Sequence, residues 1–323
     1  MQAVIRVTLA LVFASLAFER ASAEDWPTRP IKFIVTQGSG GTPDLICRMI
    51  GVRLTRALGQ QIVVENRPGA GNTIGAQAAA RAEPDGYTFL FATAAALVTN
   101  PYTFKSLPYD PLNDFVPVGM IAKGVFLVLA HPDVPAKNLA ELFAYAKANP
   151  GKLTFATDGP KNFSGILAAW LDKRAGVDIV TVPYAKMPQG IEDTLAGRVQ
   201  LVILAVPSAA PYIAAGTLRP LAVSSLNRLD NYPNVPPIAD VFPGVEMTGW
   251  FVLAAPAKTP ADIVARMNAE LDKILKDPEI ARQLAVVGFF TEGADSPAGT
   301  RAFVHDQHDL WGKVARDIGL QAE

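Results

Sequence analysis

Cysteine is nearly absent from this chain of 323 residues, in which Cys47 is the only one. A single thiol excludes an intramolecular disulfide and a thiolate metal cluster, so the fold must be stabilised by core packing. An excess of either charge is also lacking, since 29 Lys and Arg are balanced by 30 Asp and Glu. The chain therefore offers no basic field for nucleic acid and no acidic excess that would repel a carboxylate.

Long apolar runs are scarce as well. The run that opens the chain, residues 7–18, has about a dozen residues against the roughly 20 that cross a bilayer, so a transmembrane anchor is the weaker interpretation. Arg6 precedes this run and the small triplet Ala21-Ser22-Ala23 follows it, as in a cleaved secretory signal. We predict a signal peptide at residues 1–23. No cysteine lies near the cut to carry a lipid anchor.

The rest of the chain alternates short β-branched runs with helical periods, and its length suffices for two domains. Strand-like runs at 31–36 and 61–65 each lead through a glycine turn into a helix, and 87–91 is a third strand. A further strand at 125–129 carries the chain into a predicted second lobe, where strands and helices alternate again. The strand-like run at 249–256 could return the chain to the first lobe. This alternation predicts an α/β fold with mainly parallel sheets.

Three predicted strands end in loops of small residues, at 37–41, 92–95 and 157–162. In parallel sheets, ligands gather at the carboxyl ends of strands, where backbone N–H groups and helix N-termini point outward. The glycines of the first loop would let an anion approach the backbone closely. The loops therefore suit a carboxylate, although any one of them could be an ordinary βα turn that needs positive φ.

Enzymatic and cofactor chemistry find weaker support. Residues 37–41 approximate the G-x-S-x-G nucleophile elbow with Gln in place of the first glycine, and the possible bases are His131, His305 and His308. The last two lie beside aspartates on an apparent solvated helix face, which also argues against a metal pair. The glycines at 69–75 depart from the dinucleotide fingerprint in their spacing. We expect no catalytic residue, no metal and no cofactor, with a secreted serine hydrolase that uses Ser39 as the alternative.

Cys47 lies on the apolar face of a predicted helix, without a cation beside it on that face. A buried, inert thiol is the interpretation we favour over a nucleophile.

Several segments together resemble the Bug family, the periplasmic solute-binding subunits of tripartite tricarboxylate transporters. These segments are residues 30–35 with Gly40, Gly41 and Asp44, and residues 59–60, 63–71, 84–88, 107–111, 114–115, 182–184, 221–223 and 255–256. They span nearly the whole chain after the signal, and Val-Glu-Asn-Arg-Pro-Gly-Ala-Gly at 64–71 is the most specific.

The resemblance implies a two-lobed periplasmic-binding-protein fold of type II, each lobe a mainly parallel sheet flanked by helices, with two hinge crossings near Val125 and Trp250. We expect lobe 1 to comprise residues 24–123 and 248–323, and lobe 2 residues 124–247. The resemblance also implies a periplasmic location and membrane transporter subunits as partners. We expect the protein to be a monomer, and we expect it not to bind nucleic acid.

In the family, backbone groups and waters at two facing loops hold a ligand carboxylate, and those loops match 37–41 and 157–162 here. Other family pocket positions match residues near the ends of later strands. The predicted ligand-binding residues are Gln37, Gly38, Ser39, Gly40, Gly41, Thr93, Ala94, Thr157, Asp158, Gly159, Asn162, Tyr184, Lys186, Ala205 and Val206.

The sequence departs from the family pattern where specificity should be set. Ser39 stands where the family usually has Pro, Gly165 and Ala169 replace a usual His and Glu, and 185–186 is Ala-Lys where Lys-Gly is common. Residues 204–206 replace a segment that commonly contains Asp. Most of these changes remove polar groups, so we predict an apolar far side of the pocket and an aromatic or aliphatic monocarboxylate as ligand.

Asp158 is the exception, because its carboxylate would repel an anionic ligand unless it faces away, for example to cap the next helix. Lys186 could offset that charge by reaching the ligand, or it could be an ordinary surface lysine.

Overall fold

The computed structural model describes residues 26–160, 163–184 and 187–322. The predicted signal peptide at 1–23 and the predicted ligand residues Asn162 and Lys186 lie outside these ranges. Within them, no helix combines the length and the apolar character needed to cross a membrane.

The described residues form two sheets flanked by helices. The strands are β1 (Ile31–Val35), β2 (Ile62–Asn66), β3 (Thr88–Thr93), β4 (Phe115–Gly124), β5 (Phe126–Ala130), β6 (Thr154–Thr157), β7 (Val180–Pro183), β8 (Leu201–Ala205), β9 (Arg219–Val223), β10 (Gly249–Pro256) and β11 (Phe289–Phe290). The helices are α1 (Thr42–Leu58), α2 (Thr73–Ala80), α3 (Asn100–Thr103), α4 (Leu139–Ala148), α5 (Phe163–Ala175), α6 (Met187–Leu195), α7 (Val206–Ala214), α8 (Ala261–Leu275), α9 (Pro278–Val286) and α10 (Pro297–Asp317). A π-helical turn, Ala95–Thr99, follows β3.

Sheet A has the strand order β11-β4-β10-β3-β1-β2, and sheet B has the order β7-β6-β8-β5-β9. In sheet A, β1 pairs in parallel with β2 and β3, whereas β10 runs antiparallel between β3 and β4. In sheet B, β6 pairs in parallel with β7 and β8, and β5 runs antiparallel to both of its neighbours. The predicted two-lobed α/β fold is confirmed, with mixed sheets because strands next to the crossings are reversed.

The chain passes from sheet A to sheet B at Val125, between β4 and β5, and returns ahead of β10. The strands on either side of these crossings are hydrogen-bonded neighbours, with Gly124 opposite Gly249 and Lys123 opposite Trp250. Lys123 Nζ also contacts both carboxylate oxygens of Glu246, at 3.0 and 3.2 Å, just before β10. The two crossings therefore lie side by side and form one hinge.

Sheet A is covered by helices on both faces. On one face, α1 buries Ile46, Cys47, Ile50 and Leu54 in a core that it shares with α8. Cys47 is fully buried, and this burial raises the pKa of its thiol, as predicted for an inert cysteine. The opposite face carries α2, the π-helical turn and α10, and its core continues into sheet B.

The last helix contacts sheet A and a helix that flanks sheet B, which the sequence did not indicate. Helix α10 packs on β4, and the ring of Trp311 near its end lies 6.2 Å from the ring of Phe163 in α5. Beyond Trp311, residues 316–319 and Ala169 of α5 line one cavity of about 530 Å³. The two sheets are thus joined by α10 as well as by the hinge strands.

Candidate functional site

The first predicted ligand loop, 37–41, leaves the carboxyl end of β1 and leads directly into α1. Residues 38–40 are exposed, and Gly40 has φ of 81°, a conformation that glycine adopts without strain. Helix α1 begins after Gly41 without a side-chain cap, and Pro43 occupies its first turn. The positive end of this helix therefore stands open beside the loop.

A buried carboxylate holds this loop in place. Asp44 is only 2% exposed, and its Oδ2 accepts hydrogen bonds from Gly40 N–H at 2.9 Å and Arg48 Nε at 3.1 Å. Asn66, at the end of β2, donates to the Gln37 carbonyl at 3.0 Å and accepts from Arg48 at 3.2 Å. These groups connect β1, α1 and β2 around the backbone of the loop.

The charge of Asp44 is stabilised by the same contacts. Burial by itself would raise the pKa of the carboxyl, but hydrogen bonds from Arg48, Gly40 and Asn66 outweigh it and hold the pKa below its ordinary value. Asp44 is therefore an anion over the ordinary pH range, and its charge is used to shape the loop.

Only part of the loop backbone is available to a ligand. The N–H of Gly40 is bound to Asp44, and that of Gly41 points to the Gly38 carbonyl at 3.4 Å. For the N–H groups of Gly38 and Ser39, no acceptor lies within hydrogen-bond distance in the part of the chain that the structure describes. Gly40 and Gly41 therefore shape the loop, and Gly38 and Ser39 present its donors.

The second loop follows β6 and leads into α5. Thr157 is buried, and its carbonyl accepts the Tyr184 N–H at 2.8 Å. The Asp158 N–H donates to Ser164 Oγ at 2.9 Å, and the Ser164 hydroxyl donates back to the Asp158 carboxylate. The carboxylate thus binds a side chain in the first turn of the following helix, as predicted for an aspartate that faces that helix.

Gly165 has a steric role that its sequence context did not indicate. A Cβ at this position would lie 2.0 Å from the Gly159 carbonyl oxygen, so the loop rests directly on the backbone of α5. Ala169, one turn later, lines the cavity shared with the end of α10. Gly165 thus packs against the second loop, and the more apolar far side of the pocket that we predict from these two departures stays a prediction.

The remaining predicted residues lie at the ends of β3, β7 and β8. Thr93 is buried, with its Oγ 3.3 Å from the Ala96 N–H, and Ala94 is half-buried beside it. Ala205 is half-buried at the end of β8, whereas Val206 is buried and donates its N–H to Val125 at 3.2 Å. The backbone N–H of Val206 is therefore engaged within the protein.

The Tyr184 hydroxyl is already bound within the protein. It donates to Asp193 Oδ2 at 2.7 Å, and Arg198 holds the other oxygen of that carboxylate at 2.8 Å. The hydrogen bond to Asp193, with burial, raises the pKa of Tyr184. This tyrosine can offer a ring face to the site, but its hydroxyl is engaged.

Sequence reasoning did not single out two aromatic residues that lie next to predicted ligand segments. Phe126 opens β5 directly opposite Ala205, and Phe163 opens α5 directly after the second loop. Their rings stack with centroids 4.1 Å apart and an angle of 25° between planes. The sequence places Phe126 next to the predicted hinge and Phe163 next to a predicted ligand loop. Because the two residues are far apart in sequence, only the fold shows that their rings are in contact.

The alternative hydrolase site is not assembled. Ser39 is exposed on its turn, whereas His308 lies against Tyr102 at 3.1 Å and His131 lies beside Asp133 at 3.5 Å. Among the described residues, no His, Cys, Asp and Glu side chains are grouped so as to hold a metal ion.

Comparison with known proteins identifies the chain. The family model described as "Tripartite tricarboxylate transporter family receptor" matches residues 46–320. The chain belongs to this family. Among relatives, Protein BugT of Bordetella pertussis is 33% identical over 302 residues, covering 93% of this chain and 92% of the relative. The resemblance to Bug proteins is therefore confirmed, and so is the prediction of a receptor that is not an enzyme.

Two solved structures of similar proteins contain ligands. One is R. palustris Rpa4515 with adipate, 33% identical with a TM-score of 0.74, covering 93% of this chain and 100% of the other. The other is MatC from Rhodopseudomonas palustris with bound malate, 27% identical with a TM-score of 0.69, covering 90% of this chain and 100% of the other. These similar proteins thus bind small organic acids.

Proposed function

We propose that the protein is an exported periplasmic receptor, which captures a small organic carboxylate between its two sheets for a tripartite transporter. The observation that carries this proposal is the first loop, where the N–H groups of Gly38 and Ser39 stand beside the open N-terminus of α1. Donors of this kind, fixed by a buried network, form a natural anion site. The adipate- and malate-bound relatives support the ligand class.

The two lobes proposed from the sequence are residues 24–123 with 248–323, and residues 124–247. Their support is the strand membership of the sheets, since sheet A takes its strands from 31–124 and 249–290, and sheet B from 126–223. Loops 37–41 and 157–162 would then face each other across the hinge. Closure of the lobes would surround the ligand with backbone groups from both sides.

A monocarboxylate is the finer proposal. The segment 204–206, Leu-Ala-Val, brings no charge to the far side of the site, where the family commonly carries Asp. A second carboxylate on that side would lose its hydration without gaining a partner. Thr93, Ala94, Thr157 and Gly159 would contribute backbone and apolar contacts around the ligand.

The N-terminal pattern at residues 1–23 supports the proposed export, and integral-membrane subunits of the transporter are the partners that the family implies. A free periplasmic monomer would deliver its ligand to those subunits.

A thermal-shift screen of the mature protein against mono-, di- and tricarboxylates tests the receptor function. A ligand at about 100 times its Kd adds ~2.7 kcal/mol of stability, which corresponds to roughly 5 °C for a chain of this size. Absence of any shift across the three classes would contradict the proposal.

The donor at Ser39 has a matched pair of variants. Ser39→Ala keeps the N–H, whereas Ser39→Pro removes it and introduces the residue that the family usually carries there. We expect Ser39→Ala to bind as the parent does and Ser39→Pro to bind about 10-fold more weakly or worse, because one hydrogen bond to a charged group is worth about 1.5–3 kcal/mol. Equal affinities in both variants would place the carboxylate elsewhere.

A further inference from the structure

An aromatic wall, consisting of Phe126 and Phe163, borders the proposed ligand site. The two rings stack on each other and both are half-buried, so each retains accessible surface. Trp311 of α10 packs against Phe163 from within the core and is only 4% exposed. Trp311 thus supports Phe163 from one side, and each ring of the wall keeps part of its surface exposed.

The aromatic wall lies beside two segments of the proposed site. Phe126 is the cross-strand partner of Ala205, and Phe163 is the first residue of α5 after the loop that contains Gly159. Through Trp311, the wall also contacts α10, which belongs to the other proposed lobe.

We propose that the aromatic wall selects an aromatic monocarboxylate, whose ring packs against the exposed surface of the Phe126–Phe163 pair while its carboxylate binds the N–H groups of Gly38 and Ser39. This inference rests on the proposed receptor function and names its substrate class. Flat rings gain more than an equal apolar area from stacking on an aromatic face. Neither wall residue carries a charge, so a second carboxylate placed there would be desolvated without compensation.

Calorimetric titration of the mature wild-type protein with four acids tests the inference without any substitution. Benzoate should bind about three- to tenfold more tightly than cyclohexanecarboxylate, which has the same carboxylate and ring size but no aromatic face. Hexanoate should bind more tightly than adipate. Equal or reversed preferences would overturn the aromatic proposal and leave the receptor function standing. Failure of all four acids to bind, together with a silent carboxylate screen, would overturn the receptor function and this inference with it.

Substitution of each wall residue tests whether the aromatic wall causes the preference for benzoate. Phe126→Leu and Phe163→Leu keep an apolar side chain but remove the ring, so each should lose most of the preference for benzoate over cyclohexanecarboxylate. The matched control is Phe143→Leu in α4, a buried phenylalanine that packs on Phe242 with centroids 5.9 Å apart. A preference that survives in both wall variants, or that disappears equally in the control, would overturn the assignment.

Discussion

Replacement of Asp44 by alanine should destabilise the fold and also weaken ligand binding, because this carboxylate holds the first loop. The substitution removes a hydrogen bond from Gly40 at 2.9 Å and a paired contact with Arg48 at 3.0 Å. A backbone hydrogen bond to a charged acceptor is worth about 1.5–3 kcal/mol. Arg48 is 49% exposed, so its pairing adds at most about 1 kcal/mol. We expect a loss of about 2–3 kcal/mol, or roughly 4–6 °C in Tm.

The effect on affinity has a separate origin. Without Asp44, the loop is no longer held in its binding conformation, and binding must order Gly38 and Ser39. Fixing the backbone of one residue costs about 1–2 kcal/mol, so two residues cost at least about 2 kcal/mol, which weakens Kd roughly 30-fold. Asp44→Asn keeps one acceptor oxygen and should fall between the parent and the alanine variant.

Differential scanning calorimetry and carboxylate titration measure the two effects on the same samples. The control is Asp240→Asn, which breaks an exposed pair with Arg228 at 3.2 Å and should change stability by less than about 0.5 kcal/mol. Because the pKa of Asp44 is lowered on folding, its contribution is present above the unfolded value and is lost as pH falls through the folded value. A lower Tm with unchanged Kd in Asp44→Ala would refute the positioning role.

Three further substitutions or treatments have defined outcomes. Gly165→Ala places a methyl group 2.0 Å from the Gly159 carbonyl oxygen, so urea denaturation should show a loss of about 1–3 kcal/mol, and an unchanged midpoint would contradict the steric argument. Tyr184→Phe removes the 2.7 Å bond to Asp193 and should cost about 1 kcal/mol in thermal denaturation, whereas a stabilised variant would show that the hydroxyl is not bound there. Cys47, buried and with a raised pKa, should resist thiol reagents in the native protein and react once the chain is unfolded, and rapid native labelling would contradict its burial.

Local sequence signals predicted the elements of the fold well. The β-branched run at 31–36 becomes β1, the loop at 37–41 leads into α1, and the strand at 249–256 returns the chain to sheet A. What these signals do not contain is strand direction. β5 and β10 are apolar runs like the parallel strands of their sheets, but both run antiparallel to their neighbours and each is the first strand after a crossing. Pairing direction is decided by the path of the chain between sheets, which periodicity does not report.

The sequence predicted where the loops of the candidate site lie in the fold, but not what most of their residues do. The glycine loop lies at the end of β1 as expected, but Gly40 donates to Asp44 and is unavailable, a contact that loop composition does not predict. The support from Asn66 comes from the end of the neighbouring strand, so it depends on the β1–β2 pairing. Gly165 also has a steric role that its replacement of a polar residue did not indicate, because its small size lets the loop rest on α5. Such roles depend on packing across elements, and a single sequence contains no direct signal for them.

The placement of α10 changes how the two lobes can move. If the two lobes were joined only by the paired strands at Gly124 and Gly249, they could rotate apart about those strands. Here the indole of Trp311 rests on Phe163, so opening requires the last turns of α10 to slide across α5 or to travel with it. Such sliding would couple the proposed opening to the C-terminal residues. In the proposed receptor, release of the carboxylate would then depend on a helix that is distant in sequence from both proposed ligand loops.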